Sequence, residues 1–239
     1  MIYEKHIIVI MEMNKENKVE LINNFGDDIM VCNCARVSFN KNASNYTEAQ
    51  NEKLIKYLVD HKHTSVFRHP QLQFRITCSI YVERQIRKHE IGLELGLPPE
   101  PNSSINSISG RYVDFSDSYT TIKEWRKQSK SSKQGSEGVI EDQEKASKLE
   151  ESVINICKGI YNQLLDLGVS KEQARTILPL NLNTTFIWTG SLLSFIHLFN
   201  LRLKPDAQAE TRELVDQILQ CIKDIPGNPY KYSLKAFGL

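Results

Sequence analysis

Two short stretches of the chain concentrate groups that can hold phosphate. Arg84-Gln85-Ile86-Arg87-Lys88-His89 spaces Arg84, Arg87 and Lys88 three and four residues apart. On a helix these lie on neighbouring faces and form a cationic patch. Ser103-Ser104-Ile105-Asn106-Ser107-Ile108-Ser109-Gly110-Arg111-Tyr112 gathers hydroxyls, an amide and a guanidinium around one glycine. Phosphate recognition uses that combination of backbone N–H groups, short hydroxyl donors and a bidentate arginine. Each stretch alone also has an ordinary reading: an R-x-x-R-K run is commonly a solvated helix face, and a serine-rich segment is commonly a turn. Ser109 has no general base beside it, so it reads as a phosphate ligand rather than a nucleophile.

The histidines His61, His63 and His69 lack the i, i+4 helical spacing of a metal pair, and no carboxylate cluster accompanies them. They read as hydrogen-bonding, stacking or surface groups, and no metal is expected. The five cysteines Cys32, Cys34, Cys78, Cys157 and Cys221 are scattered. The C-x-C at 32–34 has no second pair to complete a zinc knuckle. They read as free thiols in a reducing compartment, none with a visible activating context.

The elements that must position these groups show in the patterning. Residues 18–22 alternate as a strand. Thr47 is an N-cap for a helix to about Asp60, with Leu54, Ile55, Tyr57 and Leu58 as its buried face. Residues 71–76 alternate as a half-buried strand that leads into a helix near 80–89. The Gly- and Pro-rich segment 91–104 reads as a loop. Residues 141–167 carry helical periodicity through Val153, Ile156, Ile160 and Leu164, and Gly168 ends the helix. Ser170 and Gln173 form a capping-box pattern ahead of Pro179. A strand at 185–189 and helices at 191–199 and 207–222 follow. Residues 127–138, rich in Ser, Lys and Gly, read as an exposed loop. There is no regular βαβ rhythm and no G-x-G-x-x-G loop, so the expected class is α+β rather than a doubly wound sheet.

With 30 basic and 29 acidic residues the formal charge is +1, which gives no global field for a nucleic-acid polymer. The apolar N-terminal run at 7–11 lacks the flanks of a signal peptide, and no apolar run approaches the ~20 residues of a bilayer span. A soluble, cytoplasmic protein without a membrane partner is expected. Phosphate-holding motifs fall on both sides of 127–138, so one domain over 1–239 is expected, with exposed loops at about 93–104 and 127–138.

Taken together, the motifs resemble the flavin-dependent thymidylate synthases over about residues 19–226. The resemblance runs through Ala35-Arg36-Val37-Ser38-Phe39 and the His61 to His69 segment. It continues through Arg84-Gln85 with Lys88-His89, and Asn106 with Ser109-Gly110-Arg111-Tyr112. Ala174-Arg175-Thr176-Ile177-Leu178-Pro179-Leu180-Asn181-Leu182 follows, then Ile187-Trp188-Thr189-Gly190-Ser191, then Asn200-Leu201-Arg202 with Ala207-Gln208 and Glu210. The resemblance implies a single-domain α+β fold with a twisted, mainly antiparallel sheet flanked by helices. It implies conversion of dUMP to dTMP, with methylenetetrahydrofolate as carbon donor and FAD reduced by NADPH, in a homotetramer with shared active sites. Gln85, Ser109, Gly110, Arg111, Arg175 and Arg202 are the implied dUMP ligands, and Arg202 is the implied catalytic group, facing the uracil ring. His63, Ser65, Lys88, His89, Ser191 and His197 are the implied FAD contacts.

Three features depart from the family pattern. Lys88-His89-Glu90 stands where the family has R-H-R, losing a bidentate guanidinium and inverting a charge. Ser107 stands where an acid usually follows the signature Asn. The segment between Gly92 and Asn106 is longer by about ten residues, a length more often functional or disordered than packed. Ser107 and this segment open one alternative on the same scaffold, a hydroxymethylase yielding 5-hydroxymethyl-dUMP or acting on another pyrimidine nucleotide. A further alternative, of another class, is a non-catalytic nucleotide-binding or structural homologue that keeps the fold.

Overall fold

The computed structural model describes residues 17–89, 105–114, 117–131, 133 and 135–239. In chain order the elements are β1 (Lys18–Phe25), α1 (Asp28–Arg36), α2 (Glu48–Asp60), β2 (Gln71–Ser79), α3 (Ile80–Ile86) and β3 (Ile105–Ser107). They continue with β4 (Arg126–Gln128), β5 (Ser136–Val139), α4 (Gln143–Asp166), α5 (Lys171–Ala174), β6 (Asn183–Ser191), α6 (Leu192–Arg202), α7 (Ala209–Lys223) and α8 (Lys231–Ala236). The class is α+β, as the sequence leads one to expect. Four strands form a sheet in the order β1-β2-β6-β3, and β4 and β5 form a separate antiparallel pair.

Strands β2 and β6 run antiparallel. Gln73 Nε2 donates to Thr189 Oγ1 at 3.0 Å and the Thr77 and Thr185 hydroxyls meet at 2.8 Å, so numbers fall along one strand as they rise along the other. In β2 the alternation puts Leu72, Phe74, Ile76 and Cys78 inside, the half-buried pattern of the sequence.

The described residues group into two compact units, which are taken one at a time. The first comprises 17–18, 77–85 and 107–186. Its core cluster is Tyr119, Ile154 and Leu182, with Ile80 and Leu178 packed against them. The first N–H groups of α3 are satisfied from outside the helix: Ile80 donates to the Leu182 carbonyl at 2.9 Å and Tyr81 to Leu180 at 3.1 Å. That fixes where α3 leaves the sheet. Glu150 on α4 holds the loops on either side, accepting from Ile122 N at 3.1 Å and Asn181 Nδ2 at 3.2 Å.

The second unit comprises 19–76, 86–89, 105–106 and 187–239 among the described residues. Helix α6 is its centre: Leu192, Leu193, Phe195, Ile196, Leu198 and Phe199 are all buried, as an apolar-all-round helix must be. The Phe195 ring meets Phe74 at 5.1 Å and Trp188 at 4.7 Å. Helix α7 is amphipathic and buries Leu214, Val215, Ile218, Leu219 and Ile222. The chain turns into α1 at Gly26, whose φ of +83° only glycine adopts freely; a Cβ there would lie 2.6 Å from Met30 Sδ. Asp28, 7% exposed, then clasps the C-terminal helix. Its carboxylate accepts from Tyr232 N at 2.6 Å, Ser233 N at 3.1 Å and Ser233 Oγ at 2.5 Å.

Several local expectations change. The described residues of 127–138 are mostly exposed, and several of them form the β4–β5 hairpin, whose backbone pairs Lys127 with Glu137 and Gln128 with Ser136. Ser170 is the N-cap of α5 yet its side chain makes no capping bond; Gln173 N donates instead to the Ser170 carbonyl at 3.0 Å. The helix expected to reach His89 stops at Ile86, so Arg87 and Lys88 do not continue a helical face from Arg84. Thr47 caps α2 as expected, in a full capping box with Gln50. Within α2, Ile55 and Leu58 are buried but Tyr57 is exposed. On α4 the buried residues are Ile154 and Tyr161, whereas Val153, Ile156 and Ile160 face outward. The expected loop at 93–104 and Glu90 lie outside the described residues.

Candidate active site

In the first unit, the Ser109 turn hangs from the edge of the sheet. Ile108 N donates to the Thr185 carbonyl of β6 at 2.8 Å, and the Ser109 carbonyl then accepts from Tyr112 N at 3.0 Å and Val113 N at 3.2 Å. Gly110 is buried within this turn, while Arg111 is exposed. Arg111 N and Nε both donate to Ser109 Oγ at 3.3 Å, and the guanidinium carbon sits 5.1 Å from the centre of the Tyr112 ring. The serine hydroxyl and the arginine therefore act as one presented unit, with a polar edge suited to an anionic oxygen. Tyr112, which belongs to the sequence motif but has no role assigned from it, backs the guanidinium.

Arg175 opens the short 3₁₀ turn Arg175–Ile177, immediately after the buried Ala174. Its Nε donates to the Glu172 carbonyl at 3.4 Å, and the side chain is otherwise exposed. Gln85 is half-buried near the end of α3. The nucleotide positions Gln85, Ser109, Gly110, Arg111 and Arg175 thus all belong to this unit. Ser107 lies on β3, exposed.

Arg202 belongs to the second unit, with all the residues assigned to FAD. It is half-buried in the last turn of α6. The same unit holds His89, 6% exposed, whose Nε2 has no hydrogen-bond partner among the described residues. Burial, reinforced by the charges of Arg202 and His197, lowers the pKa of His89 to about 4. The ring is therefore neutral at physiological pH and offers one nitrogen to whatever occupies the site. Its backbone is tied down by Ser194, whose hydroxyl donates to the His89 carbonyl. Ser194 N in turn donates to Ser191 Oγ at 3.2 Å, the N-cap of α6. The sequence points to Ser191, His89 and His197 but not to Ser194; its signal is the S-x-x-S spacing at the start of an apolar helix. Lys88, beside His89, is exposed.

His63 and Ser65 are built from a different part of the second unit, the turn after α2. Both are exposed. His61 stacks on Tyr57 with ring centres 4.0 Å apart, and His63 lies edge-on to Tyr57 at 6.2 Å and to His61 at 6.4 Å. Between them Lys62 adopts φ +59°, a left-handed conformation uncommon away from glycine. His61 Nδ1 also lies 2.9 Å from the Tyr57 carbonyl, so of the hydrogen-bonding, stacking and surface roles open in the sequence, His61 shows all three and His63 the last two. His69 is exposed at the end of the 3₁₀ turn Thr64–Arg68. Burial pushes the Cys32 thiol up to about 11 and raises those of Cys34, Cys78 and Cys221. None of these four is primed as a thiolate nucleophile.

The sequence profile described as thymidylate synthase complementing protein matches residues 20–226. A flavin-dependent thymidylate synthase of Thermus thermophilus is 36% identical over 206 residues, covering 86% of this chain and 71% of that protein. The chain belongs to the flavin-dependent thymidylate synthase family. As a family member it is an enzyme of the methyltransferase class. The Kosmotoga olearia flavin-dependent thymidylate synthase is 33% identical, covering 86% of this chain and 84% of that protein. Among solved structures, the UMP/dUMP methylase PolB from Streptomyces cacaoi, bound with 5-Br dUMP, superposes with a TM-score of 0.80 at 21% identity. That alignment covers 95% of this chain and 96% of PolB. The same methylase bound with 5-Br UMP gives 0.78 at 22% identity. At those identities the likeness is one of fold. Among the described residues, no helix is long and apolar enough to cross a membrane.

Proposed function

We propose that this family member converts dUMP to dTMP, taking the carbon from methylenetetrahydrofolate and the hydride from FAD reduced by NADPH. The observation that carries the reading is His89: a neutral, buried imidazole with an unsatisfied Nε2, held through its own carbonyl by Ser194. Such an orphaned polar atom asks for a ligand, and a flavin with ring nitrogens and carbonyls fits it. FAD, when bound, supplies hydride chemistry. His89, His197, Lys88, Ser191, His63 and Ser65 are the residues that would hold it. Ser191 acts through its cap of α6, which sets the direction of His197 and Arg202 on that helix.

The nucleotide belongs with Gln85, Ser109, Gly110, Arg111 and Arg175. Arg111 and Ser109 are preorganised by their mutual hydrogen bonds, so little ordering is needed to receive phosphate oxygens. Arg202 is the catalytic candidate. A guanidinium facing the uracil carbonyl edge stabilises the negative charge that gathers there as the base becomes nucleophilic. The same reading takes the protein to be cytoplasmic, in keeping with its five free cysteines, and to work as a homotetramer with shared sites.

Incubation with FAD, NADPH, methylenetetrahydrofolate and either dUMP or UMP, followed by mass spectrometry of the nucleotide, tests the reading. A methylated dUMP supports it. A product heavier by one oxygen replaces it with hydroxymethylation, and methylated UMP alone moves the acceptor. A colourless protein with no NADPH oxidation overturns the catalytic reading.

A further inference from the structure

We infer that Phe237, in the C-terminal segment, is a positioning residue for the turn that carries His63 and Ser65, and so sets how tightly FAD is held. That role presupposes that His63 and Ser65 contact the cofactor, as proposed above. Both stand exposed in the stretch 63–68, which has little backbone support of its own. A 3₁₀ turn has poor hydrogen-bond geometry, and His63 at its start makes no side-chain cap. Lys62, just before it, already holds φ +59°. The placing of Ser65 therefore falls to the two side chains that follow it, Val66 and Phe67, which are 8% and 0% exposed.

Phe67 is the deeper anchor. Its ring meets that of Phe237 edge-on, with centres 5.1 Å apart and planes at 77°, an arrangement that aromatic pairs favour. Phe237 in turn comes from a backbone with little freedom. Gly238 closes α8 in the left-handed conformation at φ +77°. Leu239 N donates to the Leu234 carbonyl at 3.0 Å and Gly238 N to the Lys235 carbonyl at 3.1 Å, which is a Schellman ending.

Helix α8 is also tied to the two helices that precede the turn. Asp28 on α1 accepts from the Tyr232 and Ser233 N–H groups, and its own N–H donates to the Pro229 carbonyl at 2.9 Å. On α2, whose end leads into His63, Glu48 accepts from the Tyr232 hydroxyl and Glu52 from Lys235 Nζ at 2.7 Å. The exposed ion pair adds little; the buried Asp28 clasp and the aromatic contact carry the brace. One short helix thus holds both the start of α2 and the turn beyond its end. Residues 227–239 lie outside the span 20–226 that the family profile matches, so none of the family motifs points to this support. Without the Phe237 ring, Phe67 has an unfilled flank. A close-packed interior relaxes toward such a void, and Ser65, two residues from Phe67, moves with it.

The test is a titration of the full chain with FAD, followed by flavin fluorescence well below the melting temperature, for the wild type, Phe237→Ala, Phe237→Leu and Phe237→Tyr. Phe237→Ala is expected to raise the Kd for FAD roughly tenfold or more, the scale on which supporting partners act at metal sites, with the number of sites unchanged. Phe237→Leu keeps most of the bulk, should fall between, and decides the matter if Phe237→Ala fails to fold. Phe237→Tyr keeps the ring and should restore the wild-type affinity. A merely structural role would lower the number of competent sites and leave the Kd of the folded protein where it was. Loss of sites at unchanged Kd, or a Phe237→Tyr variant as weak as Phe237→Ala, would overturn the inference. A wild type that takes up no FAD overturns the flavin reading and this inference with it, whereas a flavin-binding wild type beside equally tight Ala and Leu variants overturns this inference alone.

Discussion

His89 carries a charge decision that can be measured. Its folded pKa of about 4 lies below the ordinary histidine value of 6.5. As the pH falls from 6.5, the unfolded chain takes up the proton first, so stability is lost between 6.5 and 4 at up to about 1.4 kcal/mol per pH unit; above 6.5 the group has no effect. Urea titrations across that window should show a shallower dependence for His89→Gln than for the wild type, and parallel curves would contradict the burial argument. Asp28 makes a different statement, because removing it strands the N–H groups of Tyr232 and Ser233. Asp28→Ala should cost on the order of 2–3 kcal/mol, read as a lower urea midpoint; an unmoved midpoint would show that the C-terminal helix is held by packing alone. For Arg111, loss of a charge-assisted contact of about 1.5–3 kcal/mol predicts dUMP binding weakened roughly tenfold to a hundredfold in Arg111→Ala. Calorimetry that finds unchanged affinity would remove the Ser109–Arg111 turn from the site.

At the scale of elements, the capping box of α2 is the cleanest local prediction. Thr47→Ala should destabilise by about 1 kcal/mol, visible as a lower melting temperature, and no change would mean the helix start is fixed by its tertiary contacts. Much at this scale is legible in the sequence: the alternation in β2, the Thr47 cap and the end of α4 at Gly168 are local properties. What is not legible is direction. Periodicity through Val153, Ile156 and Ile160 announces an amphipathic helix, but a helix with two apolar faces does not say which one its own chain covers. Tyr57 departs from its expected burial for a related reason: its spacing fits the buried face of α2, while its ring serves as the base for His61 and His63. The 127–138 segment has no apolar alternation, so its hairpin, held by polar and backbone bonds such as Lys130 N to Glu137 Oε1 at 3.0 Å, leaves no mark on the hydrophobic pattern. The pairing of α1 with α8 through Asp28 is equally silent, because a long-range polar clasp has no periodic signature.

For the whole molecule, the site is legible as an ordered set of motifs, not as a geometry. The motifs supply the proposed nucleotide set Gln85, Ser109, Gly110, Arg111 and Arg175, and the structure adds how Ser109 and Arg111 are locked to one another. They supply Ser191, His89 and His197, and the structure adds Ser194 as the link between the first two. Family membership accounts for the scaffold, and the particular residues then set the outcome on it. On the proposed reading, Ser107, exposed where the family pattern has an acid, is the position at which a change of product would arise. Product mass with dUMP, FAD, NADPH and methylenetetrahydrofolate is therefore the most direct measurement. The account predicts dTMP, accompanied by NADPH oxidation and a flavin absorbance band, and a nucleotide recovered unchanged from a colourless protein would contradict it.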